Sequence, residues 1–158
     1  MSVSLSRADG RQWLRLRQLR VQRARQALAQ AQAEEAQARA VVQDREAAIE
    51  QGRAQLDALA RHWGGAGSVD MPRWNGQVQA HRESLAERLE RDEYALLDER
   101  EALEQAEART GQRRAELARA QAREDAVDAT LKDQRRQLLT AREQQAELEA
   151  EDAWRART

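Results

Sequence analysis

The chain has no cysteine and no phenylalanine, one tyrosine, one proline, one lysine (Lys132) and seven glycines in 158 residues. Each shortage excludes something. Without cysteine there is neither a disulfide nor a thiolate metal site, a composition that fits a reducing compartment. Without phenylalanine, and with the 41% of hydrophobic residues carried largely by alanine, the side chains cannot fill a globular core of ordinary thickness. An apolar stripe, not a core, must be the unit of burial. No stretch approaches the roughly 20 apolar residues of a membrane span, and the N-terminus lacks the apolar core of a secretory signal. A cytoplasmic protein that does not insert into a membrane is expected. Excess charge of either sign is missing too. The formal net charge of -1 argues against a chain built mainly to coat a polyanion.

What is abundant is alanine, arginine, glutamate and leucine, with 35% charged residues. That mixture belongs to long helices, although disordered chains share it. Periodicity separates the two. Leu14, Val21, Leu28, Glu35, Val42, Ile49, Leu56 and Trp63 recur every seven residues, with Ala24, Ala31, Ala38 and Leu59 at the intervening position of an a/d seam. Disordered sequence does not keep one face apolar over seven heptads. Arg17, Glu35, Arg45 and Gly52 interrupt the seam, and alanine buries little area, so modest stability is expected.

A second seam carries Leu89, Leu96, Leu103, Leu117, Leu131 and Leu138, paired with Val78, Leu85, Ala106, Ala120, Val127, Ala141 and Leu148. Asp92, Glu99, Arg113 and Gln134 are its polar exceptions, and Thr110-Gly111 is a candidate kink. Between the seams, His62-Trp63-Gly64-Gly65-Ala66-Gly67-Ser68-Val69-Asp70-Met71-Pro72-Arg73-Trp74 holds three glycines, the proline and two of the four tryptophans. Pro72 fits a first helical turn and disfavours helix at Met71, with Asp70 as a cap. Ser6, with Asp9 three positions on, suggests a helix start near Arg7. The predicted fold is therefore all-α: a long antiparallel two-helix coiled-coil hairpin, forming a single coiled-coil domain. Its helix 1 covers about 7–62, its turn 63–72 and its helix 2 about 73–156. At 1.5 Å per residue the helices span roughly 80 Å and 125 Å, so the C-terminal one overhangs by about thirty residues that carry Leu131, Leu138 and Leu148. Such an unpartnered stripe points to another chain.

Chemistry is harder to assemble. The glycine-rich turn lacks the lysine of a phosphate loop and the third glycine of a dinucleotide fingerprint, and follows no strand. His62 and His81 lack the Glu-x-x-His pairing of a bundle metal site, since Leu59 and Val78 stand where glutamates would. The carboxylates sit on a charged face suited to i,i+4 pairing, as Glu87 and Arg91 do. No enzyme, cofactor or metal centre is expected. The sharper signals are cationic and aromatic. Arg7, Arg11, Arg15, Arg17, Arg20, Arg23 and Arg25 have Asp9 as the only acid among them. They read as a solvated coiled-coil flank, a docking surface for an acidic protein, or a nucleic-acid contact. Trp13 and Trp154 form an expected pair at the open end, where aromatics beside arginines are typical interface anchors. Trp63 and Trp74 either cap the turn against each other or face a partner.

Three stretches together resemble one family. They are Leu14-Arg15-Leu16-Arg17-Gln18-Leu19-Arg20 leading into Ala24 to Ala33; Arg73-Trp74 opening the second helix after a Gly/Ser turn; and the tail Arg142-Glu143-Gln144-Gln145-Ala146-Glu147-Leu148-Glu149 with Asp152-Ala153-Trp154-Arg155. The chain resembles the FliJ/YscO stalk proteins of type III secretion and flagellar export, including the Hrp-type members of plant-associated bacteria. It departs from them at Gln145, where the family's tail has a lysine, and near the turn, where few clear counterparts of the gate-facing residues occur. The resemblance implies a coiled-coil hairpin whose paired termini enter a hexameric secretion ATPase, with further contacts to the export gate and substrate chaperones. The implied location is cytoplasmic, peripheral at the inner-membrane secretion apparatus, with a role in protein transport and virulence. Carried onto this sequence, Arg11, Trp13, Arg15, Arg17, Arg20 and Trp154 are candidate ATPase contacts. Trp63, Met71, Trp74 and Val78 are the candidate gate- or chaperone-facing tip. Competing expectations are a structural coiled-coil scaffold or dimerisation protein, and a nucleic-acid-binding basic helix.

Overall fold

A computed structural model describes residues 7–157. The Ser6 cap expected from sequence lies outside them. The described chain is all-α: helix α1 (Arg7–Gly64), a short 3-10 helix (Ala66–Val69) and helix α2 (Met71–Arg155), with no strand among the described residues. Alanine, leucine, arginine, glutamate and glutamine are the strongest helix formers, and no proline interrupts either helix interior. The helices stop where this chemistry stops, at Gly64-Gly65, and resume at Met71-Pro72.

The connection is tighter than the predicted 63–72. Trp63 and Gly64 remain helical and α2 begins two residues early, at Met71. Met71 is helical despite the bias against helix before proline, and Pro72 sits in the first turn, where its missing N–H leaves no helix bond unmade. The Asp70 carbonyl accepts from Arg73 N at 3.1 Å and Trp74 N at 3.3 Å, which opens α2. Asp70 N in turn donates to Gly67 O at 3.2 Å. No described glycine has positive φ, so the turn uses its glycines for lack of Cβ and not for handedness. A Cβ at Gly67 would lie 2.9 Å from His62 Nε2 and 3.0 Å from the His62 carbonyl oxygen.

The chain divides into two compact units, residues 29–112 and residues 1–28 with 113–158. In the first, burial follows the two seven-residue repeats: Ala31, Val42, Ile49, Leu85 and Ala106 are buried, with Ala38, Leu56, Leu59, Leu89, Leu96 and Leu103 half-buried around them. Thr110, a candidate kink in the sequence, lies in unbroken helix and is the most enclosed polar residue, 1% exposed. Its hydroxyl donates to the Ala31 carbonyl at 3.2 Å, a bond that removes the cost of burying it.

In the second unit Val21 and Val127 are buried, and Gly10 packs so closely that a Cβ there would come 2.6 Å from Leu131 Cδ2. Leu131 therefore has a neighbour, contrary to its expected place on an unpartnered overhang. The exposed part of α2 begins later. Gln134 is the last half-buried residue, and 135–157 are exposed throughout.

Candidate partner-binding surface

The polar interruptions of the seams have different fates in the two units. In residues 29–112 they meet each other. Arg45 Nη1 donates to Asp92 Oδ1 at 2.7 Å, while its Nε and Nη2 reach Glu99 Oε1 at 3.1 and 2.8 Å. Three residues that look like separate flaws in the sequence form one fork-shaped cluster, of the kind a planar guanidinium suits. Around it Arg53 pairs with Glu93 at 2.9 Å, Arg100 with Glu46 at 2.6 Å and Arg39 with Glu107 at 3.1 Å. Hydrogen bonds to Glu99 and then Asp92 push the Arg45 guanidinium above its ordinary pKa. Those to Glu35 and then Glu107 do the same for Arg39. Both arginines are thus held firmly in the charged form.

The other unit places like charges together. Arg17 and Arg20 of α1 line one groove with Glu116, Arg119 and Arg123 of α2. Glu116 already pairs with Arg113 at 2.7 Å. Lys132 pairs with Asp128 at 2.6 Å on the same helix. Among the described residues none of Arg11, Arg15, Arg17, Arg20, Arg23 or Arg25 forms an ion pair with a described acid. Trp13 is 45% exposed, lies under the Arg17 guanidinium at 5.4 Å and, with Asp9, Gln12 and Leu16, lines a small depression. Arg11, Trp13, Arg15, Arg17 and Arg20 are therefore brought onto one end of α1.

Trp154 is not. It is 70% exposed and lies 23 residues beyond the Leu131 that faces Gly10, about 35 Å of helical rise. The expected Trp13–Trp154 pair is separated because the packed part of α2 ends well before its last turns. The tip residues also part company. Trp63 is half-buried edge-on to His62, with ring centroids 5.1 Å apart, whereas Trp74 is exposed under the Arg73 guanidinium at 5.4 Å. Met71 and Val78 are half-buried. Val69 is the large exposed apolar residue of the turn, and sequence reasoning missed it. Its signal was its place just after the glycines, where neither helix can cover it.

His62 and His81 line one depression with Leu59 and Leu85. Among the described residues no group of three or more His, Asp or Glu side chains is placed to hold a metal ion. Nor, among them, is any helix long and apolar enough to cross a membrane. Comparison with family models, curated proteins and solved structures finds no match.

Proposed function

We propose that the chain is a non-enzymatic central-stalk component of a type III secretion system, docking to a hexameric secretion ATPase and linking it to the export gate and to substrate chaperones. On this reading the protein is cytoplasmic and peripheral to the secretion apparatus. The observation that carries it is the crowding of Arg11, Arg15, Arg17, Arg20, Arg23 and Arg25, none of them in an ion pair with a described acid, around exposed Trp13 along the start of α1. A cationic, aromatic face of this kind binds an acidic protein surface, with the indole as anchor and the charge as guide. The likeness of the arginine-rich opening, the Arg73-Trp74 start and the tail to the FliJ/YscO stalk proteins supplies the partner.

The shape such a stalk requires is an antiparallel two-helix coiled coil. Support comes from the order of the ion pairs: as the α1 number rises through Glu34, Arg39, Arg45 and Arg53, the α2 partner falls through Arg109, Glu107, Glu99 and Glu93. Spin labels at Gln55 and Glu87, diluted with unlabelled chain, test this. A hairpin sets them side by side, whereas one continuous helix would hold them about 48 Å apart. Docking is tested by binding to the cognate secretion ATPase, comparing the natural chain with a triple Arg15→Glu, Arg17→Glu, Arg20→Glu variant. Affinity is expected to fall at least tenfold; unchanged binding and unchanged ATPase stimulation would reject the docking face.

A further inference from the structure

The most unusual surface outside the arginine groove is the last part of α2. Residues 135–155 are helical yet wholly exposed, although the seam of buried Val127 and half-buried Leu131 runs on through Leu138, Ala141 and Leu148. Leu139 and Trp154 add exposed apolar area. An exposed apolar stripe that continues a buried seam calls for a partner helix. Its flanks say what kind. From 143 to 152 the chain reads Glu143, Glu147, Glu149, Glu151 and Asp152, with no base among them.

The complementary face stands on the same chain. Trp13, Leu16 and Leu19 of α1 are exposed at helical spacing, and arginines at 11, 15, 17, 20, 23 and 25 surround them with no acid in that interval. The basic stretch runs about 21 Å and the acidic one about 14 Å, so one covers the other with room for the flanking leucines. The tail cannot fold back onto its own basic face. No glycine or proline follows Gly111, and α2 continues unbroken to Arg155. A second copy has no such restriction.

We propose that the acidic 143–152 stretch of α2, which carries Leu148, adjoins Trp154 and is flanked by Arg142 and Arg155, docks on the arginine-rich Trp13-Leu16-Leu19 face of a second copy of this chain. Each copy offers one tail and one basic face, so two equal contacts close a two-fold dimer. The inference does not rest on the secretion reading, but the two share a surface: a chain docked to its twin has its arginine face covered. The dimer then competes with any acidic partner for that face.

Sedimentation velocity on the full chain from about 1 to 100 µM, at low and high salt, tests the proposal. A concentration-dependent dimer is expected, weakening at least tenfold between about 50 mM and 500 mM NaCl as the charge contacts are screened. Two charge-reversed chains discriminate further: one with Arg11→Glu, Arg15→Glu and Arg20→Glu, the other with Glu147→Arg, Glu151→Arg and Asp152→Arg. All six positions are exposed, and circular dichroism checks that each variant stays helical. Each reversal alone should leave a monomer, and a chain carrying both should dimerise again. Trp154→Ala, which leaves every charge in place, should weaken the dimer several-fold. A natural chain that stays monomeric throughout overturns the proposal. So does a dimer indifferent to either reversal, or one that the double reversal fails to restore.

Discussion

Residues 29–112 and the unit formed by 1–28 and 113–158 are built from the same helices and nearly the same seam, yet they treat charge in opposite ways. In the first, Arg39, Arg45, Arg53, Arg100 and Arg109 each meet a carboxylate on the other helix, and the polar seam positions close into the Arg45–Asp92–Glu99 cluster. In the second, Arg17, Arg20, Arg119 and Arg123 line one groove, and Glu116 and Asp128 pair with neighbours on their own helix. Exposed ion pairs contribute little each, so the contrast concerns what the surface is free to bind more than how firmly it is held. One region carries ion pairs between its helices; the other leaves arginines and an indole exposed together.

The largest expected difference is in local stability. Amide protection should be about a hundredfold higher at residues 42–49 than at 138–150, because Val42 and Ile49 pin the first segment in the seam while 138–150 are exposed throughout. Hydrogen exchange of the isolated chain measures it, and equal protection would erase the comparison. If the second copy covers the tail, protection at 138–150 should also rise with concentration.

Next comes the packed seam. Ile49 is 4% exposed, so Ile49→Ala should cost about 2–4 kcal/mol in urea unfolding. Arg45→Ala should destabilise more than Arg53→Ala, since it leaves Asp92 and Glu99, 18% and 19% exposed, facing each other without a cation. The pH dependence of the Arg45 contribution follows from its raised pKa. Its stabilisation is fully present below the ordinary arginine pKa and is lost only as pH rises through the raised one. Titration across about pH 5–9 should therefore leave that contribution unchanged.

Thr110→Val keeps the volume and removes the hydroxyl that reaches Ala31, at an expected cost of about 1 kcal/mol. The smallest effect sharpens the comparison most directly. Arg119→Glu gives Arg17 and Arg20 the carboxylate they lack, and should raise stability by a few tenths of a kcal/mol at low salt, an increment lost at about 1 M NaCl. A loss of stability instead would mean that the arginines are held apart by packing the groove does not reveal.

Much of this was legible before any coordinates. Seven-residue spacing marked the positions that are buried, from Val21 and Val42 to Leu85 and Ala106, because a stripe of that period can face only one way along a helix. The break at Gly64 to Pro72 was equally plain, as was the arginine-rich opening of α1. What stayed hidden was pairing. Arg45, Asp92 and Glu99 read as three defects because sequence shows each polar residue without its partner. Thr110 read as a kink for the same reason, when its hydroxyl is satisfied across the seam. Leu131 read as unpartnered because Gly10 offers no side chain to meet it, whereas that missing side chain is the room Leu131 fills.

Composition and periodicity by themselves determined that this chain is all-α, made of two long helices joined at one glycine-rich break, with its free positive charge gathered at the start of the first. Those properties are local or repetitive, and a helix expresses them residue by residue. The tertiary structure alone decided which charges cancel, where burial ends on α2 and which tryptophans remain exposed. Each depends on which residue of one helix stands opposite which residue of the other, and that register is set jointly by a turn a few residues long and by close contacts such as Gly10 against Leu131.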